Sequence, residues 1–266
     1  ALGSACCGEP ERAPTPGAPM VALGDSAASG AGIAPSSERC ARSERNYPSL
    51  VAEAMDVDLD DVTCGGATTS TVLRGSDDDE GMERTPQIDA VGPNTDLVTL
   101  TIGANDGDAA AAYFTGCFFP PTNTADACAQ AVDFSLDALP EARAGVVDTI
   151  EEVRERAPDA RIVLVGYLPL TPPTGCPTTP IAPDAVAGLA GYEGQLDRAL
   201  QAAADEAGVP FVSVRDAAQG HDSCSSDPWV NGLEPVEGDG AFLHPTVAGA
   251  EAVADSVQAL LEDDER

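Results

Sequence analysis

The chain has 266 residues, 43% hydrophobic but only 4% aromatic, so a core must be built mainly from Val, Leu, Ile and Ala. Its formal net charge of −32, with 13 arginines and no lysine, argues against nucleic acid or an anionic membrane surface as a partner. No stretch approaches the roughly 18 apolar residues of a membrane-spanning helix, so stable membrane insertion is not expected.

Ala1–Cys7 reads as the tail of a cleaved signal segment. A lipid anchor at Cys6 or Cys7 is the lesser expectation, because Gly3 and Ser4 stand where a lipobox places Leu. The Pro-rich, polar residues 8–18 read as a flexible leader, so residues 1–18 are set apart from a single domain over 19–266. Apolar, β-leaning runs follow at Met20–Leu23, Val57–Thr63, Leu97–Ile102, Arg161–Tyr167 and Val209–Val214. Between and after them, helices are predicted at Tyr47–Met55, Asp133–Arg156, Leu189–Ala207 and Thr246–Leu261. In the last, Val247, Ala250, Val253, Ala254, Val257, Leu260 and Leu261 recur at helical spacing. Strands alternating with helices imply parallel βαβ units: an α/β fold, a three-layer α/β/α sandwich around a five-stranded parallel sheet. Gly107–Gln130, Leu168–Ala187 and Asp216–Leu243 are predicted as long loops, and each carries cysteine. Eight cysteines without a Cys-x-x-Cys pair suit disulfides in an oxidising compartment, and hence a secreted protein, better than a zinc or redox site.

Four short motifs fall where loops meet these elements. Ser26, in Gly24-Asp25-Ser26, follows the first strand, where a serine can present its hydroxyl outward and its N–H toward a developing oxyanion. Read alone it fits a plain helix cap. Gly66, in Cys64-Gly65-Gly66-Ala67, lies past the second strand, where glycine lets a backbone N–H approach a ligand, or simply makes a turn. Asn105, in Gly103-Ala104-Asn105-Asp106, ends the third strand and offers either a neutral oxyanion donor or an Asx-turn. The chain has two histidines. His221 sits in a cysteine-bearing loop and reads as structural. His244 precedes Pro245 at the entrance to the last helix and is the candidate general base. No His, Cys or carboxylate cluster has metal-ligand spacing, and no cofactor is expected. Gly30-Ala31-Gly32-Ile33-Ala34-Pro35 ends in Pro where a dinucleotide motif places Gly.

These four blocks, in this order over most of residues 20–260, resemble the SGNH-hydrolase (GDSL) family, which has a flavodoxin-like sandwich fold. The resemblance extends to the secreted actinobacterial lipases and esterases with three disulfides, through Ser29-Gly30, Thr69, Gly220-His221-Asp222, Trp229-Val230-Asn231 and His244-Pro245. It implies Ser26 as nucleophile, His244 as base, and Ser26, Gly66 and Asn105 as oxyanion donors. It also implies the pairings Cys40–Cys64, Cys117–Cys128 and Cys176–Cys224, which spacing alone could not select among fifteen connectivities. The family usually carries Asp three residues before the histidine, and Ala241 stands there. The resemblance therefore implies a Ser–His dyad whose imidazole is oriented by the main-chain carbonyl of Ala241 or Phe242, with Asp239 the weaker alternative. The expected substrate is a small-molecule or lipid ester, hydrolysed by a monomer. The alternatives are a carbohydrate acetyl esterase of the same fold and a non-catalytic, disulfide-rich surface binding protein.

Overall fold

The computed structural model describes residues 14–77, 83–121 and 123–263, so Cys6, Cys7 and any anchor on them lie outside the described residues. The central sheet consists of β1 (Pro19–Gly24), β2 (Asp58–Asp61), β5 (Leu97–Thr101), β6 (Arg161–Val165) and β7 (Phe211–Val212). Its order is β2-β1-β5-β6-β7 and every pairing is parallel, so the expected five-stranded parallel sheet is present. Alternation along the strands sends Met20, Leu97 and Val163 to one face and Val21, Val98 and Ile162 to the other. The first face is covered by α2 (Tyr47–Met55) and α7 (Val247–Asp263), which supply Tyr47, Val51, Val253, Val257 and Leu261. The second is covered by α5 (Ala125–Arg156) and α6 (Val186–Ala207), which supply Val146, Ile150, Leu189 and Leu200. Two helix layers on one parallel sheet make the expected sandwich.

Each predicted strand and helix is present, with shifted ends. The second strand shrinks to Asp58–Asp61, an edge strand held on one side only. The helix predicted at Asp133 starts at Ala125, because Thr124 accepts the Ala127 N–H and caps it there (3.2 Å). The predicted loop Gly107–Gln130 is corrected by a helix, α4 (Ala109–Cys117), within it. Four consecutive alanines favour helix strongly enough to outweigh the glycine and proline on either side. Further pieces escaped the sequence, among them the single turn α1 (Ser26–Ser29), the short helix α3 (Thr69–Arg74), and a two-stranded antiparallel ribbon of β3 (Ser76–Asp77) and β4 (Glu83–Arg84). The last residues of the stretch read as a flexible leader are anchored. Gly17 N–H donates to the Asp56 carbonyl at 2.6 Å, and Ala18 is buried.

The three disulfides are Cys40–Cys64, Cys117–Cys128 and Cys176–Cys224. The first anchors the turn containing Gly65 and Gly66, the second joins the end of α4 to the start of α5, and the third ties two long loops together.

Candidate active site

The sheet order reverses direction between β1 and β5. In an open parallel sheet, ligands bind outside the carboxyl ends of the strands at such a point. Ser26 leaves the end of β1 and Asn105 the end of β5, so the topology brings them together. Asp25 accepts the Ala27 N–H at 2.9 Å and forms the cap of α1. Ser26 is therefore held as the first residue of a turn.

His244 reaches this turn from a separation of 218 residues, with Nε2 2.8 Å from Ser26 Oγ. Its Nδ1 lies 2.8 Å from the Phe242 carbonyl. A carbonyl can only accept, so that bond requires the proton on Nδ1. The neutral ring then presents the Nε2 lone pair to the serine hydroxyl. Burial pushes the His244 pKa below its ordinary 6.5, opposed in part by the Phe242 carbonyl.

The loop carrying His244 is stitched to the turn after α1. Ala241 N–H donates to the Ala31 carbonyl (2.7 Å) and Gly240 N–H to the Gly32 carbonyl (3.1 Å). The approach is so close that a Cβ on Gly32 would sit 2.2 Å from Ala241 N, so only glycine fits there. Asp239 lies on this loop but not at the imidazole. Its carboxylate accepts the Val247 N–H at 2.8 Å, and its carbonyl accepts from the Asn231 side chain at 2.7 Å.

Gly66 adopts φ +75°, in the left-handed region that favours glycine, with open space where a side chain would stand. Its neighbours are committed: Gly65 N–H donates to the Cys40 carbonyl and Ala67 N–H to the Cys64 carbonyl. Among the described residues, neither Gly66 N–H nor Ser26 N–H donates to a protein acceptor. The Asn105 amide donates to the Ala67 carbonyl at 3.0 Å, which fixes its orientation and leaves its second N–H for a ligand. Asp106 braces the same junction by accepting from both Thr69 N (3.2 Å) and Thr69 Oγ1. Burial raises the Asp106 pKa, while the two bonds from Thr69 lower it.

A cleft runs from Ser26 and His244 between α4, α6 and the loop after β6, lined by Phe114, Leu168, Leu170, Leu196 and Leu243. Buried Glu193 lies in its wall and accepts from Tyr113 Oη (2.6 Å), Thr171 Oγ1 (2.8 Å) and the N–H groups of Leu170 and Thr171. These bonds fasten the loop after β6 to α4 and α6. His221 is away from this cleft. It stacks on Trp229 at a centroid distance of 4.0 Å, and its Nδ1 faces the Asp227 carbonyl at 2.9 Å. Among the described residues, no group of three or more His, Cys, Asp or Glu could hold a metal ion, and no helix is long and apolar enough to cross a membrane.

Sequence reasoning missed Tyr167. Its hydroxyl donates to Asp25 Oδ2 at 2.6 Å and accepts the Ala104 N–H at 3.2 Å, joining the Ser26 turn to the Asn105 loop. Burial pushes the Asp25 pKa up to about 7, moderated by the Tyr167 and Ala27 bonds and raised a little by Asp106. Asp25 and Asp106 both stood inside quoted motifs, but nothing local signalled that Tyr167, 142 residues from Asp25, would meet it.

The family model described as GDSL-like lipase/acylhydrolase matches residues 22–252. The chain is 33% identical over 261 residues to Lipase 2 of Streptomyces coelicolor, covering 93% of this chain and 87% of that protein. In structure it is similar to phospholipase A1 from Streptomyces albidoflavus NA297, with a TM-score of 0.78, 26% identity, and 91% of this chain and 99% of that one covered. It is similar also to the extracellular lipase of Streptomyces rimosus, with a TM-score of 0.77, 26% identity, and 91% and 98% covered. With the expected sheet and motif order in place, these matches mean that the chain belongs to the GDSL-like lipase/acylhydrolase family and is a carboxylic ester hydrolase.

Proposed function

We propose that Ser26 and His244 act as a nucleophile–base dyad, hydrolysing acyl esters through a covalent acyl-enzyme. The observation that carries this reading is the directed chain from Phe242 O through His244 to Ser26 Oγ, both contacts 2.8 Å. His244 Nε2 takes the hydroxyl proton as Ser26 Oγ bonds to the ester carbonyl carbon, then returns it to the leaving alcohol. Water, activated by the same nitrogen, cleaves the acyl-enzyme. The negative carbonyl oxygen of each tetrahedral intermediate is held by Ser26 N–H, Gly66 N–H and the free N–H of Asn105. Phe242 O orients the imidazole in place of a carboxylate.

The substrates are acyl esters of glycerides, phospholipids or small alcohols. The apolar lining of the cleft favours an acyl chain over the polar substituents of a carbohydrate ester. The relatives described as lipases and the neighbour described as phospholipase A1 support the same class. Secretion is supported by the three disulfides and by the neighbour described as an extracellular lipase. We place the protein outside the cell as a monomer of one catalytic domain.

Ser26→Ala should lower hydrolysis of a p-nitrophenyl ester by about 10³-fold or more, and abolish labelling by a fluorophosphonate, with unchanged thermal unfolding. A folded Ser26→Ala protein with near wild-type turnover would sink the mechanism.

A further inference from the structure

The acyl cleft follows the carboxyl edge of the sheet. Ser26, Asn105, Leu168 and Arg215 all line it, and they follow β1, β5, β6 and β7, which is the order of those strands in the sheet. Ser26 and Arg215 therefore stand at opposite ends, with Leu168 and Leu170 of the loop after β6 in the lining between them. Arg215 is the one arginine in that lining, and two carboxyls stand with it. Its Nη1 lies 3.9 Å from Glu193 Oε2, the oxygen left over when Glu193 Oε1 accepts from Tyr113, Leu170 and Thr171. Asp197 follows Glu193 by one turn of α6 and accepts from Ser213 Oγ at 3.0 Å. It lies so near the end of β6 that a Cβ on Gly166 would sit 3.2 Å from its Oδ1. Burial raises both carboxyls; Tyr113 and Thr171 oppose this at Glu193, Ser213 opposes it at Asp197, and the charge of Arg215 opposes it at both. Glu193 is buried, and Asp197 and Arg215 are half-buried.

We propose that Arg215, held against Glu193 and Asp197, closes the far end of the acyl subsite and sets the longest chain that the cleft encloses. This rests on the Ser26 mechanism, which puts the ester carbonyl at the β1 end. A methyl terminus that reaches the three charged groups strips water from them and offers no hydrogen bond in return. That cost offsets the gain from burying further methylenes. A guanidinium stays charged at every working pH, so this end of the cleft stays polar. Three strand spacings separate β1 from β7, about 14 Å in all, and an extended chain advances about 1.2 Å per bond. About eleven bonds would span the whole edge; the Arg215 side chain, which reaches toward Glu193, takes up part of that length and leaves about eight. The substrate class that follows is an ester of a medium-chain acid, with octanoate about the longest acyl group fully enclosed.

The test is a series of p-nitrophenyl esters from butanoate to dodecanoate, each kept below the concentration at which it aggregates. In wild type, kcat/KM should rise by at least about tenfold from butanoate to octanoate, since one buried methylene is worth about fourfold. It should not rise again from octanoate to dodecanoate. The double variant Asp197→Leu, Arg215→Leu removes one charge of each sign. It should raise the dodecanoate-to-octanoate ratio by at least about tenfold, the worth of about two methylenes, and hold the octanoate-to-butanoate ratio within about twofold. Arg215→Lys keeps a cation at the end and should keep the wild-type cut-off. A general loosening of the cleft moves both ratios together, so a double variant in which both move, or neither does, overturns the proposal. Wild type also gives a reading that needs no variant. A terminal hydroxyl on the acyl chain should cost at least about tenfold on hexanoate, whose end lies short of the charges, and about threefold or less on nonanoate, whose end reaches them. Equal cost at both lengths would overturn the charged end. If wild-type kcat/KM climbs steadily through dodecanoate, the length limit fails and the mechanism stands; if no ester is hydrolysed, the mechanism fails and the proposal with it.

Discussion

Two titrating side chains near Ser26 move in opposite directions for the same reason, burial. Burial favours neutral imidazole, so the His244 pKa lies below 6.5. General-base action needs the neutral ring, so the acid limb of kcat/KM should fall below pH 6.5; a limb governed by His244 above that value would contradict its burial. Asp25 behaves in the other sense. Its carboxyl is raised from an ordinary 3.8 to about 7, so the neutral form is favoured in the fold. The stability this adds is fully present below pH 3.8 and lost as pH rises to about 7. An asparagine can still cap α1 but does not ionise. Asp25→Asn should therefore gain stability relative to wild type from pH 4 to pH 7 and hold a constant difference above it, at most about 4 kcal/mol. Urea unfolding at pH 5 and pH 8 checks this, and a difference between the two proteins that does not change with pH would show that Asp25 is not the titrating group.

At the scale of elements, the histidine loop is positioned by the start of α7. Thr246 Oγ1 accepts the Gly249 N–H at 3.1 Å, and Asp239 accepts the Val247 N–H at 2.8 Å. Asp239 thus acts on the helix end and not on the imidazole. Asp239→Asn should lower kcat by at most about tenfold and cost about 1 kcal/mol of stability or less, because asparagine caps nearly as well. A carboxylate that oriented the base would cost about 10⁴-fold in kcat, and a fall of that size in a stably folded variant would make Asp239 part of the machinery. The helix entrance at His244-Pro245 was legible because proline suits the first turn of a helix. The strands were legible because Val98, Leu100, Ile162 and Leu164 form apolar runs with few polar interruptions. α4 was not, because its four alanines have helix propensity but no amphipathic stripe, and the flanking glycine and prolines suggested a loop.

For the whole molecule, the rim of the cleft depends on covalent ties. Cys176–Cys224 spans 48 residues and joins the loop after β6 to the loop that leads to His244. Closing a loop of that length restricts the unfolded chain by roughly 4 kcal/mol in the chain-entropy model. Strong reductant should lower both the unfolding temperature and activity, and titration of the native, unreduced protein should find no more than two free thiols. More than two would break the three-disulfide assignment. The four blocks came from family resemblance: each sits at a strand end or helix start, as expected, but read alone each fits a cap or a turn as well as a functional role. The contacts of Tyr167 and Glu193 were not legible, because each depends on side chains brought together from distant elements. The pairing of cysteines came from family resemblance, since no local rule selects a connectivity.

The acceptor that aligns His244 is the backbone oxygen of Phe242, and backbone oxygens are carried by every residue type. No single codon change removes it, so a site-by-site alanine scan would report one partner for Ser26 and pass over the atom that sets the ring. The route to that atom is chemical synthesis: replacing the amide between Phe242 and Leu243 with an ester weakens this oxygen, and removes the Leu243 N–H that donates to the Gly232 carbonyl at 3.3 Å, while leaving every side chain in place. Heritable variation can move the loop, but it cannot delete the group, a property it shares with the backbone N–H groups of Ser26 and Gly66.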